Sequence, residues 1–194
     1  NPKAGQTTHV DKDRAGILKE DKLERGELIF SDQFQSSLPG RVFGKRGAAI
    51  TTQKYTGGTL FADASSKYMK ICYQVSLGGH ETVASKTEFE REAAQVGVTV
   101  KNYRTDNGVY TSAEFMNELM HHGQGITHSG VGGHHHNGVA ENNIKTTVQS
   151  ARMMRIHAAL RWPEQSDNAL WPLALEHAVW LHNRTPQDPS GLTP

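Results

Sequence analysis

Residues 98–108 read VTVKNYRTDNG, a strand pattern that runs into an acidic turn. Apolar and polar side chains alternate from Val98 to Arg104, which is typical of a β-strand with one buried face. The tetrapeptide at residues 105–108 favours a turn. We therefore expect Asp106 to stand directly after a strand, at one edge of a sheet.

Three apolar stretches before this strand each predict a further strand. The first covers residues 28–30 and ends at Ser31-Asp32, so that Asp32 would close it. The second and third cover residues 59–64 and 68–75, and a polar turn separates them. Tight turns of this kind join antiparallel strands. The sequence therefore predicts that the chain opens its sheet with consecutive strands.

Loop and helix signals fill the rest of the chain. Residues 36–40 favour a turn, and the glycine-rich, basic residues 41–57 predict a surface loop or a ragged hairpin. A short strand is expected at residues 125–127. Apolar periodicity with cap or stop signals predicts helices at residues 82–96, from the Ser112 cap to 120, at 139–160 and at 170–181.

The resulting order is three strands, a helix, a strand, a helix, a strand and a long helix. Strands joined by turns, followed by strand–helix alternation, give a mixed sheet with helices on its faces. The sequence therefore predicts an α/β chain with a ribonuclease H-like fold, a mixed five-stranded sheet flanked by helices. This domain would cover residues 26–194, with a polar linker or arm at 1–25, a loop insertion at about 41–57 and a C-terminal helix at about 168–184.

Composition narrows the class of protein. A hydrophobic content of 36% is too high for a disordered tail, and no run of about 18 apolar residues exists, so we expect no membrane partner. The single cysteine fits an intracellular, reducing setting. A net charge of +1 argues neither for nor against nucleic acid, so a DNA-binding surface would need local clustering. Because the chain begins with Asn1 instead of Met and stops at Pro194 within a proline-punctuated stretch, we expect both ends to be cuts from a longer polypeptide.

Three acidic residues occupy suggestive places in this order. Asp32 follows the first strand, Asp106 follows the fourth, and Glu141 lies in the first turn of the long helix. The first and fourth strands are neighbours in such a sheet, so the three carboxylates can converge. Converging carboxylates repel one another unless a cation such as Mg²⁺ or Mn²⁺ is bound, and two such ions can drive phosphoryl transfer. From position alone, three solvated surface acids remain an equal alternative.

Local motifs connect these acids to a known family. TDNG at residues 105–108 and NGVAE at residues 137–141 together resemble the second and third acid motifs of the integrase core superfamily. Between Asp106 and Glu141 lie 34 residues (141 − 106 − 1), one fewer than the family's usual 35. The resemblance covers about residues 26–194. Further segments resemble Ty1/copia-type retrotransposon integrases: SDQF at 31–34, LPG at 38–40, FADASSKY at 61–68, GITHS at 125–129, ARMM at 151–154 and HNRTP at 182–186.

This resemblance implies a function and a set of site residues. Asp32, Asp106 and Glu141 would be the catalytic carboxylates and would hold two Mg²⁺ or Mn²⁺ ions. The chain would carry out 3′-end processing and strand transfer of retrotransposon DNA into target DNA. Its partners would be double-stranded DNA and further copies of itself, and it would act in the nucleus or in a virus-like particle. The expected DNA-binding residues are Lys145, Asn137, His136 and Arg152.

Several alternatives stay open at this stage. Asp63 competes with Asp32 as the first acid, and strand order favours Asp32 because Asp63 ends the second strand. Lys145 could form a solvated pair with Glu141 instead of binding DNA. The histidine run at 134–136 could bind zinc, although a glycine-flanked loop lacks the usual ligand spacing. The separate zinc-binding module of integrases needs two cysteines, which one cysteine cannot supply.

Two competing functions are also compatible with the fold. A ribonuclease H-like nuclease would typically use a fourth carboxylate from the first helix, where four glutamates are available: Glu81, Glu88, Glu90 and Glu92. A non-catalytic, domesticated DNA-binding domain is the second competitor. The paired TDNG and NGVAE motifs argue against the nuclease, and the presence of all three acids argues against the non-catalytic domain.

Overall fold

A computed structural model describes residues 23–42, 54–128, 138–186 and 191–194. In this part of the chain the predicted order of strands and helices is confirmed. The strands are β1 (Ile29–Gly40), β2 (Tyr55–Asp63), β3 (Met69–Gln74), β4 (Asn102–Thr105) and β5 (Gly125–His128). The helices are α1 (Gly79–Gln95), α2 (Ala113–His121), α3 (Gly138–Arg161) and α4 (Trp171–His182).

The five strands form one mixed sheet in the order β3-β2-β1-β4-β5. β1 and β2, and likewise β2 and β3, are antiparallel, whereas β4 is parallel to both β1 and β5. Short turns can join the antiparallel strands, but a parallel pair needs a crossover, which α1 and α2 provide. The predicted fold class, a mixed five-stranded sheet flanked by helices, is therefore confirmed.

Two hydrophobic clusters lie on opposite faces of this sheet. Because successive strand side chains point to opposite faces, Ile29 packs on one side and Phe30 on the other. Phe30 shares its cluster with side chains of α3 and α4, including Ala140 and Leu175. Ile29 shares the other with side chains of α1 and α2, including Phe89 and Phe115. Side chains on β1 can therefore be assigned to a face by their position, which matters for Asp32.

The first strand is much longer than predicted, and the turn expected at residues 36–40 is wrong. β1 continues to Gly40, which pairs with Tyr55 after an irregularity that begins at Gln35. The Trp171 indole nitrogen donates a hydrogen bond of 2.9 Å to the Leu38 carbonyl. A side chain at Gly40 would come within 2.8 Å of the Trp171 ring, so only glycine permits this close approach. Packing against α4 thus overrides the local turn signal.

Other predicted boundaries also differ from the observed ones. Of the predicted insertion at 41–57, residues 43–53 lie outside the described residues and 55–57 belong to β2. β4 begins at Asn102 instead of residue 98, and the Lys101 amide donates to the Gly26 carbonyl instead of joining the β1 ladder. The Ser112 cap is confirmed, because its hydroxyl accepts a hydrogen bond from the Phe115 amide.

The ends of the domain are only partly described. Residues 1–22 of the predicted arm lie outside the described residues, and Leu23 is buried in the cluster that contains Phe30. The last described helix, α4, lies within the range predicted for a C-terminal helix. None of the helices described here is long and apolar enough to cross a membrane.

Candidate active site

The register of the sheet brings Asp32 and Asp106 to the same level. β1 pairs with β4 through Ile29 with Tyr103 and Phe30 with Arg104. Continuing this register by two residues places Asp32 beside Asp106, on segments about 5 Å apart. Asp32 lies inside β1, paired with Leu60, and does not close the strand as predicted. β4 ends at Thr105, before the level of Asp32, so β4 does not pair with Asp32 and the sheet is open on that side.

Glu141 approaches from the helix that covers the same face. Asp32 has the parity of Phe30, and therefore points toward the side of the sheet that α3 covers. Glu141 lies exposed in the first turn of α3, and its neighbour Ala140 is fully buried against the sheet. The positive end of the helix dipole favours a carboxylate at this position. The three predicted acids are thus carried by three elements that meet at one edge.

The electrostatics of Asp32 record this convergence. The pKa of Asp32 is raised to about 6, chiefly by burial and further by the negative charges of Asp106 and then Glu141. A hydrogen bond of 2.8 Å from the Gln33 amide to Asp32 Oδ1 opposes it. Across the described residues, however, no group of three histidine, cysteine or acidic side chains is gathered closely enough to hold a metal ion. The carboxylates are close enough to repel one another and are not assembled as a ligand set.

The turn that carries Asp106 is held by contacts to its own backbone. Asp106 Oδ1 accepts a hydrogen bond of 3.1 Å from the Gly108 amide. The Asp106 carbonyl accepts one of 2.9 Å from the Thr105 hydroxyl and lies 3.0 Å from His128 Nδ1 on β5. In the sequence, His128 belongs to the GITHS segment, and no role was predicted for its side chain. Its observed contact instead fixes the acidic turn from the side of β5.

Asp63 has a different environment from Asp32. Its Oδ1 accepts a hydrogen bond of 2.9 Å from the Gly26 amide, and its Oδ2 accepts one of 2.7 Å from the Ser66 amide. The side chain is buried, and Asp63 pairs with Ile29, three residues along β1 from Asp32. That offset corresponds to about 10 Å along the strand. Asp63 therefore stabilises the turn between β2 and β3 and lies away from the other acids.

A layer of buried polar side chains lies under the acidic edge, on the face of β1 opposite Asp32. The Ser31 hydroxyl and the fully buried Tyr110 hydroxyl are hydrogen-bonded at 2.9 Å. Gln33 donates to the Thr82 hydroxyl of α1 at 2.9 Å, and Thr82 also contacts the buried Gln74 amide. Sequence reasoning missed this layer. Its available signal was the polar pair Ser31 and Gln33 at alternate positions of the first strand.

The predicted DNA-binding residues are spread unevenly. Lys145 is exposed on α3, one turn after Glu141. Arg152 lies eleven residues, or about 16 Å, along the helix from Glu141 and lines a cavity with Trp162 and Asp167. The structure therefore does not bring Arg152 to the acidic edge. His136 and Asn137 lie outside the described residues, as does the whole histidine run.

The four glutamates of α1 that a nuclease could use are engaged in structural contacts. Glu81 accepts hydrogen bonds from the amides of Val75 and Ser76. Glu88 and Glu92 form ion pairs with one lysine of β3, and Glu90 pairs with the buried Lys86. Each of them thus has a contact that explains its presence, and this weakens the nuclease alternative.

Comparison with known proteins gives one curated relative, whereas no family model matches. The relative is the retrovirus-related Pol polyprotein from transposon TNT 1-94 of Nicotiana tabacum. It is 35% identical over 96 residues, which are 49% of this chain. The match spans only 7% of the length of that polyprotein.

The solved structures with a similar fold include two integrase core domains and an intasome. Two forms of the HTLV-2 integrase catalytic core domain in complex with magnesium, trimeric and dimeric, match with TM-scores of 0.55 and 0.56 and identities of 17% and 16%. The two matches cover 87% and 88% of this chain and 93% and 94% of theirs. A simian T-cell lymphotropic virus intasome in complex with PP2A regulatory subunit B56 gamma matches with a TM-score of 0.58 and 15% identity, over 87% of this chain and 52% of the other.

The structural matches establish the fold, and the transposon polyprotein adds a similarity in sequence over about half of the chain. Together, the transposon relative and the integrase-core fold support an integrase core of the retroviral integrase superfamily.

Proposed function

We propose that this chain is the catalytic core of a DNA integrase that performs 3′-end processing and strand transfer of retrotransposon DNA. The observation that carries the proposal is the electrostatic coupling of Asp32 to Asp106 and Glu141 at the open edge of the sheet. In processing, water would attack a phosphodiester near the DNA end. In strand transfer, the released 3′-hydroxyl would attack the target strand. One site can serve both steps because the attacking group is an oxygen each time.

Asp32, Asp106 and Glu141 are also the residues proposed to hold two Mg²⁺ or Mn²⁺ ions. Carboxylate oxygens are the ligands that these hard cations prefer, so the donor set fits. The HTLV-2 core domain is described in complex with magnesium, which supports a divalent ion here. When bound, such ions would neutralise the negative charge that develops on the transferring phosphoryl group. A bound cation would offset the burial and the like charges that raise the pKa of Asp32.

The protein's own part is to place the carboxylates and the DNA. The pairing of β1 with β2 holds Asp32 in place, and the hydrogen bond from the Thr105 hydroxyl to the Asp106 carbonyl holds Asp106 in place. Lys145, one helical turn after Glu141, is proposed to bind a DNA phosphate. Asn137 and His136 precede Glu141 and are proposed to contact DNA beside the site. Arg152 is proposed to contact a more distant part of the duplex, because it lies about 16 Å along α3 from Glu141.

We further propose that the chain acts as a homo-oligomer. Three of the exposed large apolar side chains of α3 follow one another at spacings of three and four residues, which places them on one side of the helix: Met153, Ile156 and Leu160. Trp162 follows them and is also exposed. The neighbouring integrase cores are described in dimeric and trimeric forms and in an intasome. Action on target DNA would place the protein in the nucleus, with a virus-like particle as an earlier location.

Strand-transfer and disintegration assays with Mg²⁺ or Mn²⁺ test the catalytic proposal. We expect Asp32→Asn, Asp106→Asn and Glu141→Gln each to lose activity by at least about 100-fold, since each removes a charged ligand. Asp63→Asn is the matched control, because it makes the same chemical change in the turn between β2 and β3. It should keep its activity per folded molecule. Full activity in the Asp32 variant, or selective loss in the Asp63 variant, would reverse the assignment.

The same assays separate the competing functions. A ribonuclease H-like nuclease would cleave an RNA–DNA hybrid and would lose activity when an α1 glutamate such as Glu81 is replaced by glutamine. A non-catalytic domain would bind duplex DNA with no reaction in either metal. Strand transfer that depends on the three acids and not on Glu81 would exclude both.

A further inference from the structure

The two segments that carry Asp32 and Asp106 have a short backbone connection. In the described chain, the register between β1 and β4 comprises Ile29 with Tyr103 and Phe30 with Arg104. Both acids lie beyond those pairs. A side-chain contact adds to these backbone pairs beside the acids: the hydroxyls of Ser31 and Tyr110 form a hydrogen bond of 2.9 Å.

We propose that Tyr110 is a positioning residue, which sets the separation of the two acid-bearing segments through its hydrogen bond to Ser31. Ser31 immediately precedes Asp32, and Tyr110 follows the turn that holds Asp106. The inference rests on the proposed function for its consequence, because a fixed separation matters where both carboxylates must hold the same ions.

Packing of the aromatic ring does not account for the hydroxyl of Tyr110. Its ring packs edge-on against Phe115 with centroids 5.2 Å apart, a contact that phenylalanine would make equally well. Tyr110 and Ser31 are both fully buried, so their hydroxyls need hydrogen-bond partners, and the Tyr110 hydroxyl has two, Ser31 and Thr59. Burial raises the pKa of Tyr110, and the charges of Asp32 and Asp106 raise it further, so the hydroxyl keeps its proton.

Ser31 and Gln33 flank Asp32, and two anchors, Tyr110 and α1, hold them from the opposite face of β1. Ser31 and Gln33 point to the face of β1 opposite Asp32, because strand side chains alternate. Gln33 is held by the Thr82 hydroxyl of α1 at 2.9 Å. The backbone on either side of Asp32 is thus fixed from below, by α1 on one side and by Tyr110 on the other. Of these two anchors, Tyr110 is the one that also reaches the Asp106 turn.

The test compares Tyr110→Phe with Tyr103→Phe. Tyr103 is a buried tyrosine of the same cluster, and its hydroxyl donates to Glu90 on α1. Both variants lose one buried hydroxyl and keep the ring, so a purely structural effect would be similar in the two. We expect only Tyr110→Phe to weaken Mn²⁺ binding, by about tenfold in calorimetric titration, as is typical when a residue that orients a metal ligand is changed.

A second readout needs neither metal nor activity. The amides of Gln33 and Gly108 donate to the carboxylates of Asp32 and Asp106, so their NMR shifts and exchange rates report on both groups. In the metal-free protein, Tyr110→Phe should move both amides, whereas Tyr103→Phe should leave them in place. Equal responses in the two variants, or none with Tyr110→Phe, would overturn the positioning role.

Ser31→Ala provides an independent variant that keeps the tyrosine. It should move both amides and weaken Mn²⁺ binding as Tyr110→Phe does, and the double variant should lose less than the sum of the two, because the Ser31–Tyr110 hydrogen bond is shared. Additive effects would overturn the proposal. If the wild-type chain bound no Mn²⁺ while both amides still responded to Tyr110→Phe, the proposed function would fail and the positioning of the two segments would stand.

Discussion

Replacing Asp32 by asparagine should make the metal-free protein more stable while it removes the proposed activity. Asp32 is partly buried beside two other carboxylates, and its pKa is raised from 3.8 to about 6. The folded protein therefore binds this proton more tightly than the unfolded chain does. The stability that the protonated form contributes is present below about pH 4 and is lost as the pH rises through 6.

The magnitude follows from the size of this shift. A change of about 2 pKa units corresponds to about 3 kcal/mol at neutral pH. Asp32 is not fully buried, so solvent screening reduces the expected effect to about 1–2 kcal/mol. For a domain of this size, that difference raises the melting temperature by about 3–6 °C. Asparagine has nearly the same shape, and so the gain should come from removing the charge.

Thermal unfolding in EDTA at pH 7.5 and at pH 4 measures this effect. Asp32→Asn should melt above the wild type at pH 7.5, and the two should nearly coincide at pH 4. Added Mg²⁺ should stabilise the wild type more than the variant. Asp63→Asn is again the control: it loses acceptor strength toward the Gly26 and Ser66 amides and should be destabilised by about 1–3 kcal/mol. A variant of Asp32 that melts at or below the wild type at pH 7.5, or gains equally at pH 4, would refute the reasoning.

Three further outcomes are expected. Lys145→Ala should weaken binding to duplex DNA and lower the slope of log affinity against log salt concentration by about 1, as measured by fluorescence anisotropy. The control Lys101→Ala, at an exposed position before β4, should change neither the affinity nor the slope. Lys86→Met should lower the free energy of unfolding in urea by about 3–5 kcal/mol, because the fully buried Lys86 is the ion-pair partner of Glu90 at 3.0 Å; an unchanged midpoint would contradict that role. Leu160→Glu, on the exposed apolar side of α3, should shift sedimentation toward the monomer without a change in melting temperature; an unchanged distribution would remove that surface from the proposed interface.

The sequence was sufficient for the order of the elements because the signals involved are local. Alternation, helical periodicity and cap residues such as Ser112 act within a few positions. The length of β1 was not predictable in this way. Its second half depends on Trp171, which lies 133 residues from Leu38 and donates to its carbonyl. Nothing within residues 36–40 indicates that a distant indole will hold them in a strand.

The choice between Asp32 and Asp63 shows where the sequence stops and the structure is needed. Both follow apolar strand residues, and strand order alone favoured Asp32. In the structure, backbone amides satisfy both oxygens of Asp63, and one of these amides belongs to Gly26, 37 residues away. Both oxygens of such a carboxylate already accept hydrogen bonds, and binding a metal would leave two amides without acceptors.

Asp32 has the opposite character. The hydrogen bond described for it comes from the neighbouring Gln33 amide to one oxygen, and two like charges act on it. A carboxylate in this environment gains stability by binding a cation or a proton, and asparagine would remove the conflict. The buried hydroxyls under β1 hold Asp32 in this unfavourable place, since the backbone is anchored from the opposite face. The features that make Asp32 costly to the fold are therefore the ones that make it available to a metal.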